Sequence, residues 1–132
     1  WDRVELLSFS QVRLSGPWTI RRSAKCVWID QLLTTAAVGA KLSIPFRGRG
    51  LALAFEFGTT SAEFRYRIDG GDWRVSNRDR PDWCPEDGWF RLFLLTDDLP
   101  PGDHLCEAEV VHGDRPDCRG TNFRLALIGV IR

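Results

Sequence analysis

Residues 51–57 read Leu51-Ala52-Leu53-Ala54-Phe55-Glu56-Phe57. Leu51, Leu53, Phe55 and Phe57 recur at every second position, with small or charged residues between them. A period of two marks a β-strand that buries one face. Downstream, Glu63-Phe64-Arg65-Tyr66-Arg67-Ile68 alternates charged and apolar residues, so it reads as a strand with one buried and one wet face. Asp69-Gly70-Gly71-Asp72 follows as a hairpin turn, because glycine accepts positive φ without steric cost, and residues 73–75 return. Residues 89–95 are nearly all apolar, the pattern of a central strand. Residues 97–103, with two prolines and a glycine, form a turn. Residues 104–111 return with Cys106, Ala108 and Val110 on one face and Glu107 and Glu109 on the other. Residues 122–131 close the chain with Phe123, Leu125 and Leu127 in phase. Upstream, strands are expected at 11–14, 18–29 and 41–46, and residues 29–38 are the one place for a short helix. About eight short strands at regular turn spacing predict an all-β sandwich, specifically a jelly roll.

A chain of 132 residues with 43% apolar content fits one domain around one core, so residues 1–132 are expected as a single unit. Lysine plus arginine number 18, and aspartate plus glutamate also 18. That balance argues against nucleic acid as the partner and gives no pull towards an anionic membrane. No run of about 18 apolar residues exists to span a bilayer as a helix. The chain has no methionine, even at position 1, and reads as an excised segment or a processed product.

Counting strand reversals away from the 69–72 turn puts four connections at the opposite, far end of the sandwich. They are residues 76–88, 112–121, 58–62 and 30–40. The four cysteines contain no C-x₂-C pair, so no zinc pattern is present, and they allow three full pairings. Cys84 and Cys118 both fall at the far end, which favours a Cys84–Cys118 disulfide. Cys26 and Cys106 are then a second pair or two core thiols. Four free thiols is the competing reading. Disulfides would imply an oxidising compartment.

Ile68-Asp69-Gly70-Gly71 followed by Trp73 resembles the IDGG-x-W hairpin of the jelly-roll domains that precede bacterial SGNH (GDSL-type) hydrolase domains. Residues 89–95, then Asp98-Leu99 and Pro101-Gly102-Asp103-His104, resemble their LL-x-x-L-x-x-G-x-H segment. Residues 45–51 are similar to their F-x-G-x-x-L element, and the resemblance spans roughly residues 42–131. It implies a galactose-binding-like sandwich. It also implies an accessory role, often carbohydrate binding, in a secreted or periplasmic bacterial enzyme that carries a catalytic domain in the same chain.

The chain lacks the G-D-S block in which such hydrolases hold their serine nucleophile. His104 reads as a strand-edge residue, and His112 has no serine or cysteine partner near it in sequence. Asp79, Asp82, Asp114 and Asp117 are the clustered acids, and Asp-Arg-Pro-Asp reads first as a turn, not as catalytic machinery. Arg78, Arg80, Arg115 and Arg119 interleave with those acids and would repel calcium there; a structural calcium elsewhere stays open, and no other cofactor is implied.

The chain therefore reads as a non-catalytic module that binds polysaccharide or oligosaccharide. The expected site is the far-end loop cluster. Trp83 serves as its stacking platform, with Trp28 flanking it. Arg78, Asp79, Arg80, Asp82, Arg115 and Asp117 supply planar charged groups for the hydroxyls. Two competing readings accompany it: Trp83 plugs the core, and the arginines pair with the neighbouring aspartates. The alternative function is a purely structural domain packed against an SGNH-type esterase domain. Trp73 reads as structural.

Overall fold

The computed structural model describes residues 4–22, 31–57, 60–76, 89–115 and 118–132. These hold thirteen strands and a single 3-10 turn at Phe9–Gln11. The strands are β1 (Val4–Leu7), β2 (Arg13–Ser15), β3 (Thr19–Arg22), β4 (Gln31–Thr35), β5 (Lys41–Arg47), β6 (Gly50–Phe57) and β7 (Glu63–Ile68). They continue as β8 (Arg74–Val75), β9 (Trp89–Thr96), β10 (Asp103–Val111), β11 (Gly113–Arg115), β12 (Cys118–Gly120) and β13 (Phe123–Ile131). One sheet has the order β3-β4-β13-β6-β9, with β1 also pairing β13. The second has the order β2-β5-β10-β7-β8, and β11 and β12 form a separate hairpin. The two antiparallel sheets face each other as a β-sandwich.

The core lies between the sheets, built by the expected alternation. Leu51, Leu53 and Phe55 point inward from β6, Phe64 and Tyr66 from β7, and Cys106, Ala108 and Val110 from β10. Its centre is aromatic. The Phe64 ring meets Phe55 at 5.6 Å and 82°, Phe123 at 5.5 Å and 72°, and Phe93 at 6.1 Å and 84°. These edge-on contacts suit ring quadrupoles and stitch β6, β9 and β13 of one sheet to β7 of the other. Cys106 is a free, buried thiol, its pKa pushed up to about 12 by burial, so of its two expected states it is a core thiol. Cys26 and Cys84 lie outside the described residues.

Two sequence expectations need correction. Residues 31–35 form strand β4, not part of a helix: the Leu32-Leu33 doublet buries both of its faces, Leu33 in the main core and Leu32 against Ala126. β9 is not central; among the described residues it pairs only with β6. Its outward Leu92 and Leu94 lie on the apolar part of this sheet's outer face, beside Ala52 and Ala54 of β6. The opposite outer face is an ion-pair lattice, with Arg65–Glu109 at 3.2 Å, Arg67–Glu107 at 3.0 Å and Lys41–Glu109 at 3.8 Å.

The end holding the β7–β8 hairpin is closed tightly. Asp69 (φ 52°) and Gly70 (φ 71°) form the turn, and the Gly71 N–H donates to the Ile68 carbonyl at 3.0 Å. Asp69 then clasps the next loop. Its Oδ2 is 2.5 Å from His104 Nδ1, and its Oδ1 accepts the Leu105 N–H at 2.8 Å. His104 Nε2 sits 2.6 Å from the Pro100 carbonyl. Both ring nitrogens face acceptors, so the imidazolium is the favoured form. The Asp69 bond, then the Pro100 carbonyl, raises the His104 pKa above 6.5; the His104 bond, then the Leu105 N–H, lowers Asp69 below 3.8.

The pH consequence follows by linkage. The His104 contribution is fully present below pH 6.5 and is lost as pH rises through its raised folded value. The Asp69 contribution is present above 3.8 and is lost as pH falls through its lowered value. Wild-type protein should therefore lose stability as pH rises above 6.5 through the raised His104 value, and His104→Gln should not show that loss. Denaturant midpoints measured across pH 5 to 9 check this, and superimposable profiles would rule the clasp out.

Candidate ligand-binding site

The strand registers bring several connections together at the end opposite the clasp. Phe123 pairs Thr35, Val111 pairs Glu63, and Phe57 pairs Trp89, so loops 36–40, 58–62, 76–88 and the β11–β12 hairpin all open there. Ser61 bridges Asn122, whose side-chain amide donates to Thr60 Oγ1 at 3.1 Å. Gly120 is needed in this junction, since a Cβ there would lie 2.0 Å from the Thr60 carbonyl oxygen.

A cleft of about 410 Å³ opens beside this junction, over β3, β4 and the start of β13. Thr19, Thr34 and Arg124 form one cross-strand row on its floor, and the row continues to Glu56 on β6. Thr34 Oγ1 donates to the Thr19 carbonyl at 3.2 Å, which fixes its hydroxyl. Arg124 donates to Glu56 Oε1 at 2.6 Å, and that carboxylate side chain is only 4% exposed. Arg21 and Asn122 add donors at the rim, and Pro17, Ala36 and Ala37 supply an apolar wall. Hydroxyls, an amide and guanidinium groups beside a small apolar wall suit a polyhydroxylated ligand.

Trp18 closes the core beneath this end. Its ring meets Phe123 edge-on at 6.0 Å and 84°, and its Nε1 donates to the Ser15 carbonyl at 3.0 Å. Trp73 lies on the charged outer face, under which Arg65 and Arg67 stack at 4.3 and 4.6 Å from the ring centre.

Of the expected site residues, Trp28, Arg78, Asp79, Arg80, Asp82, Trp83 and Asp117 lie outside the described residues. Arg115 and Cys118 pair in the β11–β12 hairpin, at the far end as expected. The anchors of loop 76–88 are β8 and β9, and β9 lies two strands, about 10 Å, from β13 along the sheet. The cleft residues Thr19, Arg21, Thr34, Asn122 and Arg124 carried no sequence signal. They are scattered polar residues that only the register assembles.

Among solved structures, the chain is similar to a two-domain esterase active on acetylated mannans, co-crystallized with mannopentaose. The TM-score is 0.76 at 12% identity, covering 98% of this chain and 36% of that one. A family two carbohydrate esterase from Cellvibrio japonicus matches at TM-score 0.67 and 16% identity, over 97% and 32%. A family 35 carbohydrate binding module from Clostridium thermocellum matches at 0.58 and 10%, over 98% and 99%. The likeness shows the fold: a two-sheet β-sandwich that recurs in a carbohydrate binding module and within two carbohydrate esterases. The chain spans about a third of the length of either esterase. No protein-family model and no curated protein matches the sequence.

Removing the cation from the buried pair should be costly. Arg124→Leu is expected to lower stability by about 2 kcal/mol, below the range for fully buried pairs because Arg124 is partly wetted. Chemical unfolding at neutral pH measures it, and a change near zero would show that the Glu56–Arg124 bond is incidental.

Proposed function

We propose that residues 1–132 form one non-catalytic carbohydrate-binding domain of a secreted modular carbohydrate-active enzyme. The observation that carries this reading is the structural likeness to a carbohydrate binding module over 98% of this chain and 99% of that one. The far-end cleft supports it with the right chemistry: donors for hydroxyls, set beside an apolar wall.

The glycan enters at the far end. Thr19, Arg21, Asn122 and Arg124 hydrogen-bond its hydroxyls from the sheet side. From the loops, Trp83 stacks on a ring face, and Arg78, Asp79, Arg80, Asp82, Arg115 and Asp117 complete the polar contacts; the connection that carries Trp28 is anchored at Arg22 and Gln31, the other end of β3 and β4 from Thr35, so Trp28 is not assigned to this site. A Cys84–Cys118 disulfide would tie the two loops together. The domain is attached to a catalytic domain in the same parent chain. A second reading, favoured by the two-domain esterases among the structural neighbours, makes the domain a structural accessory to an esterase domain.

A glycan array, followed by affinity electrophoresis on any polysaccharide bound, tests both readings. Wild type is expected to be retarded. Trp83→Ala should lose about tenfold or more in affinity, since aromatic stacking dominates such sites, and Arg21→Ala with Asn122→Ala should lose a smaller factor. Retardation that survives all three changes would move the site elsewhere. No binding to any glycan would leave the accessory reading standing.

A further inference from the structure

A lateral cleft of about 260 Å³ opens at the end opposite the far-end site. Its place follows from the strand orders. Among the described residues β8 ends one sheet and β9 ends the other, and the cleft lies between these two edges. The β7–β8 hairpin supplies one wall, with Asp72 and Arg74; the loop after β9 supplies the other, with Asp98. Ile68, Leu95 and Leu99 give the cleft its apolar lining, and Tyr66 reaches it from the core. Volume alone does not single this cleft out; the placement of its polar groups does. Arg74, opposite Tyr66 in the β7–β8 register, donates to the Tyr66 phenol. Asp98 Oδ1 accepts the Thr96 hydroxyl at 2.9 Å and keeps its second oxygen available. The walls are also tied to each other. The Asp69–His104 clasp joins the hairpin to the β9–β10 loop, and the Leu99 N–H donates to the Arg49 carbonyl at 3.0 Å. A preformed cleft with a few fixed polar groups over apolar side chains has the anatomy of a small-ligand site.

We infer that this cleft binds one uncharged sugar ring, as a second ligand site separate from the far-end cleft. Its charges select against ions. Arg67 also lines it, but that guanidinium is held by Glu107 through bonds of 3.0 and 3.2 Å. Arg74 is then the cation facing two carboxylates, Asp72 and Asp98. A uronate or a phosphate bound to Arg74 would sit beside both acids, and a divalent cation bound to the acids would sit beside Arg74. Among the described residues no three side chains cluster as metal ligands. Vicinal hydroxyls satisfy all these groups together. They accept from Arg74 and the Tyr66 phenol and donate to Asp72 and Asp98. The C–H face of the same ring packs on Ile68, Leu95 and Leu99, which otherwise meet water at the sheet edge. Size sets the length of the ligand. The volume falls just short of the roughly 300 Å³ at which sites for drug-sized molecules begin, so the cleft takes a chain end or a single branch. The two sites lie at opposite ends of the sandwich, and a polysaccharide engaged at both would gain avidity that a short oligosaccharide lacks.

The test titrates the isotope-labelled 132-residue protein with glucose, galactose, mannose and xylose, and with glucuronate, while NMR follows the backbone amides. At least one neutral sugar should shift the amides of residues 66–74 and 95–99 along one saturating curve, with glucuronate binding there more weakly. Arg74→Ala should weaken that binding about tenfold or more, because a charged donor is lost. Tyr66→Phe keeps the core ring and should cost about threefold. No shift at those residues with any of the five sugars overturns the inference. So does binding that survives both substitutions, or that favours glucuronate. If Arg74→Ala disturbs the hairpin, Tyr66→Phe and Asp98→Asn decide the matter. Amides of residues 19–21, 34 and 122–124 report the far-end cleft in the same spectra. Shifts confined to them overturn this second site and leave the far-end reading standing, and the reverse pattern does the opposite.

Discussion

Phe64 is the contact on which the sandwich turns. From β7 its ring meets Phe55, Phe93 and Phe123 across the core and Tyr66 beside it. Its backbone is fixed as well: the Phe64 N–H donates to Ser76 Oγ at 3.0 Å, and its carbonyl accepts the Ser76 N–H at 2.8 Å. One residue therefore sets the spacing of the two sheets and holds the short return strand β8 at the edge. Shortening that ring would cost about 3–5 kcal/mol through lost burial and the cavity left behind. It would also free Phe123, the residue that seats Trp18 under the cleft. Packing at the centre and geometry at the far end are thus the same constraint.

What the sequence made legible is what obeys a single period. β6, β7 and β10 follow the alternation of a buried face, and the Asp69-Gly70 turn follows from its need for positive φ. In β13 the expected phase holds only for Phe123 and Leu125: a bulge turns Leu127 outward and puts Ile128 and Val130 in the core. β4 was hidden because Leu32 and Leu33 are both apolar for different reasons, one facing the core and the other facing Ala126 on the outer side. β9 was misplaced for a related reason. Apolar residues on both faces mean burial in a central strand, but here they mean an edge strand whose outer face contributes to an apolar trough. Binary pattern reports polarity and leaves open what removes the water.

The candidate site was less legible than the fold. Thr19, Thr34 and Arg124 are separated by up to about a hundred positions, and no motif links them; only antiparallel pairing of β3, β4 and β13 makes them neighbours. By contrast the loop tryptophan and the interleaved arginines and aspartates stand out in sequence because they are clustered. A register slip of one residue would turn Thr34 and Arg124 into the core. The row is therefore stabilised indirectly by Leu33 and Leu125, which occupy the inward positions next to them.

The electrostatics of that row also narrow what the cleft can hold. Arg124 is the strongest donor facing it, yet one of its nitrogens is already bound to the buried Glu56 carboxylate at 2.6 Å. That bond is part of what holds Glu56, because a buried carboxylate has little water to replace a lost hydrogen bond. A ligand that competed for the whole guanidinium, as a phosphate or an isolated carboxylate would, must break or weaken that bond. A neutral hydroxyl does not compete. It can take a nitrogen that Glu56 leaves free and donate its own proton to a threonine oxygen or the Asn122 carbonyl. The buried partner thus converts an arginine that would ordinarily select anions into a donor suited to uncharged polyols, and the hydroxyl-rich wall around it is consistent with that choice.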